Sequence, residues 1–131
     1  MAITGTVTIS VAGLGDVITQ AVAQSATGMT VIDESIPDST TDKLITDLTI
    51  DRSQVKALII LSDKAMTLDY NDAAGTQGSL TLTADVPILW YTGCGHAITT
   101  LLAADVTAIY ATNASGATAR LRIAILIDAT V

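Results

Sequence analysis

Apolar and polar side chains alternate with a period of two along most of this chain, and β-branched residues carry much of the alternation. Successive side chains of an extended strand point to opposite faces, so the pattern describes strands with one buried side. From Ile3 to Val11 the sequence runs Ile-Thr-Gly-Thr-Val-Thr-Ile-Ser-Val, with Val7, Ile9 and Val11 on one side and threonines on the other. Leu121 to Ile127 repeats the alternation, and Met29 to Ile36, Met66 to Tyr70, Leu80 to Thr83, Pro87 to Tyr91 and Val106 to Thr112 read as further strands. Lys43 to Ile50 alternates too, with Leu48 and Ile50 on one face, and Val17 to Ala23 fits a short strand or an amphipathic turn. Val55 to Leu61 is different. Its almost continuous apolar run predicts a central strand buried on both faces.

Gly, Asn, Asp and Ser clusters separate these segments. Gly13 to Asp16 punctuates, Ser25 to Gly28 predicts a turn, and Asp38 to Asp42 a polar loop. Asn71 to Gly78 is the strongest loop signal, and Asn113 to Gly116 predicts a tight turn. The best helical candidate, Ala97 to Ala104, is too short to alter the class. No stretch of about 12 residues has helical periodicity, which excludes a parallel sheet with crossover helices. Eight to ten strands at a spacing of roughly 8 to 12 residues predict an all-β, mostly antiparallel, single-domain β-sandwich of jelly-roll type. The length of 131 residues suits one domain over 1–131, with 1–16 a candidate N-terminal arm. A faint echo between Val55–Leu68 and Val106–Leu121 suggests two hairpins of one pattern facing each other.

Composition narrows the function classes. Charged residues make up 15% of the chain and hydrophobic ones 50%, enough for a core without disulfide or metal. The net charge of −7 repels phosphate backbones, so no nucleic-acid partner is expected. Twelve of the thirteen acids are Asp, with Glu34 the exception, which suits turns rather than helix interiors. No run approaches the roughly 18 apolar residues of a membrane helix, and the start Met1-Ala-Ile-Thr-Gly-Thr-Val lacks the look of a secretory signal. Neither a membrane nor an export route is expected. A mean hydropathy of +0.54 is more than a small monomer hides comfortably, which predicts a homo-oligomer.

Chemistry-bearing residues are sparse. His96 and Cys94 stand in Gly93-Cys94-Gly95-His96, where a Cys/His dyad or two metal ligands could be read. A structural zinc needs four ligands and a thiolate nucleophile needs an oxyanion hole, so the pair reads instead as a glycine-rich loop with a small thiol and a surface imidazole. Asp69, Asn71 and Asp72, with Gly75 and Gly78, invite a calcium reading, but the spacing departs from Asp-x-Asp-x-Asp-Gly and no bidentate Glu follows. Asp38, Asp42 and Asp47 are scattered in the same way. Gly13-Leu-Gly15 begins like a dinucleotide loop, yet Ile18 stands where the third glycine belongs. Asn113-Ala-Ser115 has the form of a glycosylation sequon and reads as a turn. Trp90 and Tyr91 are the single aromatic pair, with Trp90 expected in the core or at a protein interface. No catalytic, cofactor-binding or metal-binding residue is assigned, no cofactor is expected, and the chain reads as no enzyme.

The segments Ala57-Leu-Ile-Ile-Leu-Ser-Asp63, Met66-Thr-Leu, Leu80-Thr-Leu-Thr-Ala84, Pro87-Ile-Leu-Trp90, Ala104-Asp-Val-Thr107 and Thr112-Asn-Ala-Ser-Gly116 together resemble small β-sandwich virion proteins of tailed bacteriophages. The resemblance spans Val55 to Asp128, and its motifs are structural rather than catalytic. It implies a capsid decoration (cement) protein that binds the major capsid protein lattice, assembles in the host cytoplasm and sits on the virion as a trimer over capsomer junctions. The rival expectation is a carbohydrate-binding or host-adhesion module using Trp90, Tyr91 and the Asp69–Gly78 loop, or a tail or baseplate component.

Overall fold

A computed structural model describes residues 3–14, 16–45 and 48–129, with the backbone alone for 10–20. The described residues form ten strands: β1 (Ile3–Leu14), β2 (Asp16–Ala26), β3 (Gly28–Ile36), β4 (Thr40–Ile45), β5 (Val55–Ser62), β6 (Met66–Tyr70), β7 (Ser79–Leu82), β8 (Ile88–Tyr91), β9 (Ile109–Asn113) and β10 (Ala119–Ile127). β1 and β2 make a two-stranded antiparallel ribbon of their own. The other eight form two four-stranded sheets, ordered β3-β10-β5-β8 and β4-β9-β6-β7. The strands pair as nested partners: β3 with β10, β4 with β9, β5 with β8, β6 with β7. A long hairpin wrapped into two packed sheets gives this order, which is that of a jelly roll. Every pairing between the named strands is antiparallel.

The core lies between the two sheets. Leu58, Ile60, Leu121, Ile123 and Ile125 of the first meet Ile45, Leu68, Leu82 and Ile109 of the second, all nearly sealed from solvent. Each such aliphatic side chain contributes about 1.5–3 kcal/mol by leaving water. Leu48, Ile50, Leu102 and Val106 close the ends from the loops, with Ile50 bridged to Val106. Lys43 reaches Glu34 across the open edge at 3.8 Å.

Several local expectations change. Ser25–Gly28 is not a turn: β2 continues to Ala26, which pairs with Ile3 and is buried, and Thr27 alone bends before β3 starts at Gly28. Cross-strand pairing overrides the turn propensity of Ser and Gly here. Of Asp38–Asp42, Thr40 onward belongs to β4, an exposed edge strand whose polar sequence reflects its position. Of Lys43–Ile50, Lys43–Ile45 belongs to β4, Leu48 and Thr49 lie outside any strand, and Ile50 pairs only through an isolated bridge to Val106, although Leu48 and Ile50 are both buried. Val106 pairs only as an isolated bridge, and the regular strand starts at Ile109. Ala97–Ala104 contains one short 3-10 turn, Ile98–Thr100. The two echoing segments are not hairpins, because β5–β6 and β9–β10 each cross from one sheet to the other.

The largest correction concerns β5. It is central, between β10 and β8, but it is not buried on both faces. Leu58 and Ile60 point into the core, whereas Ile59 is 39% exposed and Leu61 is half-buried on the outer side.

Candidate functional site

The outward faces of the two sheets differ in chemistry. On β4-β9-β6-β7 the outward positions include Thr67, Asp69, Ser79, Thr81, Tyr110 and Thr112, a hydroxyl-rich surface as expected for a solvated sheet, with the exposed Leu44 of the edge strand its one large aliphatic residue among those described. On β3-β10-β5-β8 they include Met29 and Val31, Ala124 and Leu126, Ile59 and Leu61, and Leu89. Among the described residues six large hydrophobic side chains are strongly exposed, and four of them, Met29 (59%), Val31 (60%), Ile59 (39%) and Leu89 (39%), lie on this one face. Clustering of this kind, unlike scattered exposed Leu or Val, marks an interaction surface.

A polar rim borders the patch at one end. Arg120 donates from Nε and Nη2 to the two carboxylate oxygens of Asp33, at 3.0 and 2.7 Å, and Arg122 stands beside them on β10. The guanidinium of Arg120 holds the Asp33 carboxyl below the usual aspartate range. At the other end the ribbon bears on the face. A Cβ at Gly5 would lie 2.1 Å from Leu126 Cδ1, so β1 packs directly on the Leu126 side chain, which would have to move to admit a larger residue. Gln24 is buried and donates from Nε2 to the Thr92 carbonyl at 3.1 Å. Thr27 ties the root of the ribbon to the end of β10 through its N–H to the Ile127 carbonyl at 2.8 Å. A recess of about 410 Å³ remains between Gly5–Thr8 and the side chains of Met29, Ile59, Leu89, Ala124 and Leu126.

The polar candidates occupy other places and do not converge. Cys94 is free and half-buried, and its Sγ lies 3.7 Å from the backbone carbonyl of His96 rather than on an imidazole nitrogen. The exposed His96 belongs to a turn in which Gly93 and Gly95 take φ of 93° and 94°. Trp90 points inward against the core and donates Nε1–H to the His96 carbonyl at 2.9 Å. Tyr91 faces outward beside Ala57. In the Asp69–Gly78 loop the side chains of Asn71 and Asp72 are engaged in structural hydrogen bonds. Asn71 accepts from the Thr107 N–H at 2.8 Å and donates to the Asp105 carbonyl at 2.8 Å. Asp72 accepts from the N–H of Thr76 at 2.9 Å and from its hydroxyl, and these bonds hold its carboxyl below the ordinary range. Asp38 accepts from the Gly116 N–H and Asp42 from the Thr112 hydroxyl, while Asp47 and Gly15 lie outside the described residues. Gly13 and Ile18 fall in the antiparallel strands β1 and β2, so Gly13 does not open a helix as a dinucleotide loop would.

Asn113 is also structural. It is fully buried, its Nδ2 donates to the carbonyls of Ile36 and Ala117 at 2.9 Å each, and its Oδ1 accepts from the Ser115 N–H at 3.0 Å. No carbohydrate could be attached to an amide so enclosed without unfolding that turn. Among the described residues no three His, Cys, Asp or Glu side chains gather as a metal site, and no helix is long and apolar enough to cross a membrane. Sequence reasoning sought chemistry in loops and missed the outer face of β3-β10-β5-β8. The signal was present in Val55–Leu61, whose double-sided apolar run looked like burial. Comparison with protein-family models, curated proteins and solved structures gives no match to this chain.

Proposed function

We propose that the chain is a virion structural protein, specifically a capsid decoration (cement) protein of a tailed bacteriophage that acts as a homotrimer on the major capsid protein lattice. One observation carries this reading: a jelly-roll sandwich bears an almost uncharged two-stranded arm over an apolar outer sheet face. Jelly rolls serve in viral capsids and in lectins, so the fold alone does not choose between them. The surface favours the first use. A glycan site wants exposed aromatic faces beside polar groups, whereas Trp90 is turned into the core.

The mechanism is mechanical. Many copies on the outside of a shell bury apolar surface across capsomer seams and oppose the outward pressure of packaged DNA. The scarcity of Lys and Glu lowers the desolvation cost of such contacts. Assembly follows synthesis in the host cytoplasm, and the working location is the capsid surface. Catalysis plays no part in this reading.

Co-sedimentation tests it. The chain is mixed with DNA-filled heads, and separately with tails, of a tailed bacteriophage. Saturable pelleting with heads, together with greater resistance of those heads to heat-induced DNA release, is the expected result. A chain that stays in the supernatant with heads and pellets with tails would be a tail component. One that binds neither, but is retained on immobilised glycans, would be an adhesion module.

A further inference from the structure

We propose that the β1–β2 ribbon is a strap. Within one chain it masks the end of the apolar face farther from Asp33 and Arg120, and it lifts as a unit about Thr27 without unfolding the sandwich. The inference concerns the chain on its own and goes beyond the decoration role.

The masking is seen at Ala57. On β5 this residue lies opposite Leu126 of β10 and Tyr91 of β8, on the same outward side as Ile59. Ile59 is 39% exposed, whereas Ala57 is only 8% exposed. The ribbon supplies the cover: Ala57 and Gly5–Thr8 of β1 line the same recess, Gly5 packs on Leu126, and Gln24 donates to the carbonyl of Thr92, just past the end of β8.

The seat is loose. Packed interiors leave few voids wider than a water molecule, yet about 410 Å³ stays unfilled between Gly5–Thr8 and the sheet. Among the ribbon's described side chains only Gln24 and Ala26 are buried, both at its root, while Val7, Ile9 and Val22 farther out are half-buried. The ribbon's own ladder, by contrast, runs from the Ile3–Ala26 pair to the Val11–Ile18 pair. An element paired within itself and weakly seated on its neighbour opens as one cooperative piece at less cost than the whole fold. Its pivot stays fixed, because the Thr27 N–H donates to the Ile127 carbonyl at 2.8 Å and the Thr27 hydroxyl accepts from the Ala129 N–H at 2.8 Å. Gln24 is the latch. Lifting bares Ala57 and Leu126 and joins them to Met29, Val31, Ile59 and Leu89 in one larger apolar surface.

Thiol labelling of the full-length chain tests this, with the free Cys94 replaced by serine. Single reporters are Ala57→Cys beneath the strap, Ala111→Cys sealed in the core, and Val31→Cys open on the same face. With a maleimide in native buffer, the thiol at position 57 should react more slowly than that at 31 but more than about 100-fold faster than that at 111, which waits for global unfolding. Its rate should stay nearly flat in low urea, where the rate at 111 climbs steeply with the surface exposed. Adding Gln24→Ala should speed labelling at 57 about tenfold, the fold-change of one lost hydrogen bond, and leave the rate at 31 unchanged. Gly5→Val, which wedges the strap off Leu126, should speed it too. Three results would each overturn the proposal: equal rates and urea slopes at 57 and 111, a rate at 57 matching that at 31, or no response at 57 to either ribbon variant. Labelling is read without heads or tails, so its outcome is independent of the decoration role.

Discussion

Asn113 shows how a polar residue in this protein supports structure rather than chemistry. Its amide joins the end of β3 to the turn between β9 and β10 through three hydrogen bonds, all from a fully buried position. Asn113→Ala would leave the carbonyls of Ile36 and Ala117 without that partner, and a loss of about 2–3 kcal/mol is expected in urea unfolding. A loss under about 0.5 kcal/mol would mean that water replaces the amide freely. The aspartates behave likewise. Asp72 is held low by the hydroxyl and N–H of Thr76, and Asp51 by the hydroxyl and N–H of Ser53, as caps within their own loops. A carboxyl whose folded pKa is depressed stabilises the fold above its unfolded value and loses that contribution as pH falls through the folded one. The gap in urea midpoint between wild type and Asp72→Asn should therefore be widest near neutrality and close below about pH 4. A gap that stays constant down to strongly acid pH would show that the carboxylate adds nothing beyond what an amide supplies.

Among the elements, β5 best shows how far the sequence could be read. The alternating strands were legible because each has one wet and one dry face: β6 and β10 fall within two residues of their expected limits. β5 has two apolar faces, and a run of apolar residues does not tell which of them lies in the core and which awaits another surface. Turn propensity misled at Ser25–Gly28 for a related reason, since pairing across the ribbon is non-local and a Ser or Gly in a paired strand looks locally like a turn. The candidate surface was illegible as a site because it contains no residue type associated with chemistry. It becomes visible once four strands distant in sequence lie side by side. Substitution along β5 separates the two faces. Leu58→Ala, in the core, should cost about 2–5 kcal/mol of fold stability. Ile59→Ala, one position on, should cost about 1 kcal/mol or less of fold stability and act on self-association instead. Equal losses at both positions would mean that the outer face is as tightly packed within one chain as the core.

For the whole molecule, the balance of charge and apolar surface decides how copies meet. A net charge of −7 keeps separate chains apart at long range, and salt screens it within about 10 Å. In the proposed oligomer apolar contact would have to supply the attraction, and the outer face of β3-β10-β5-β8 carries four of the six most exposed large hydrophobic side chains among the described residues. A cement protein needs such surface on two sides, toward its own copies and toward the shell. Raising the salt should strengthen self-association here, by screening like charges while leaving apolar burial in place. An oligomer held by ion pairs would weaken instead. The absolute mass of the unmodified chain, by light scattering behind a sizing column at low micromolar concentration, is the most direct check. A stable species at three times 13.4 kDa is the expected result, and a single chain of 13.4 kDa that does not associate even at high salt would contradict it.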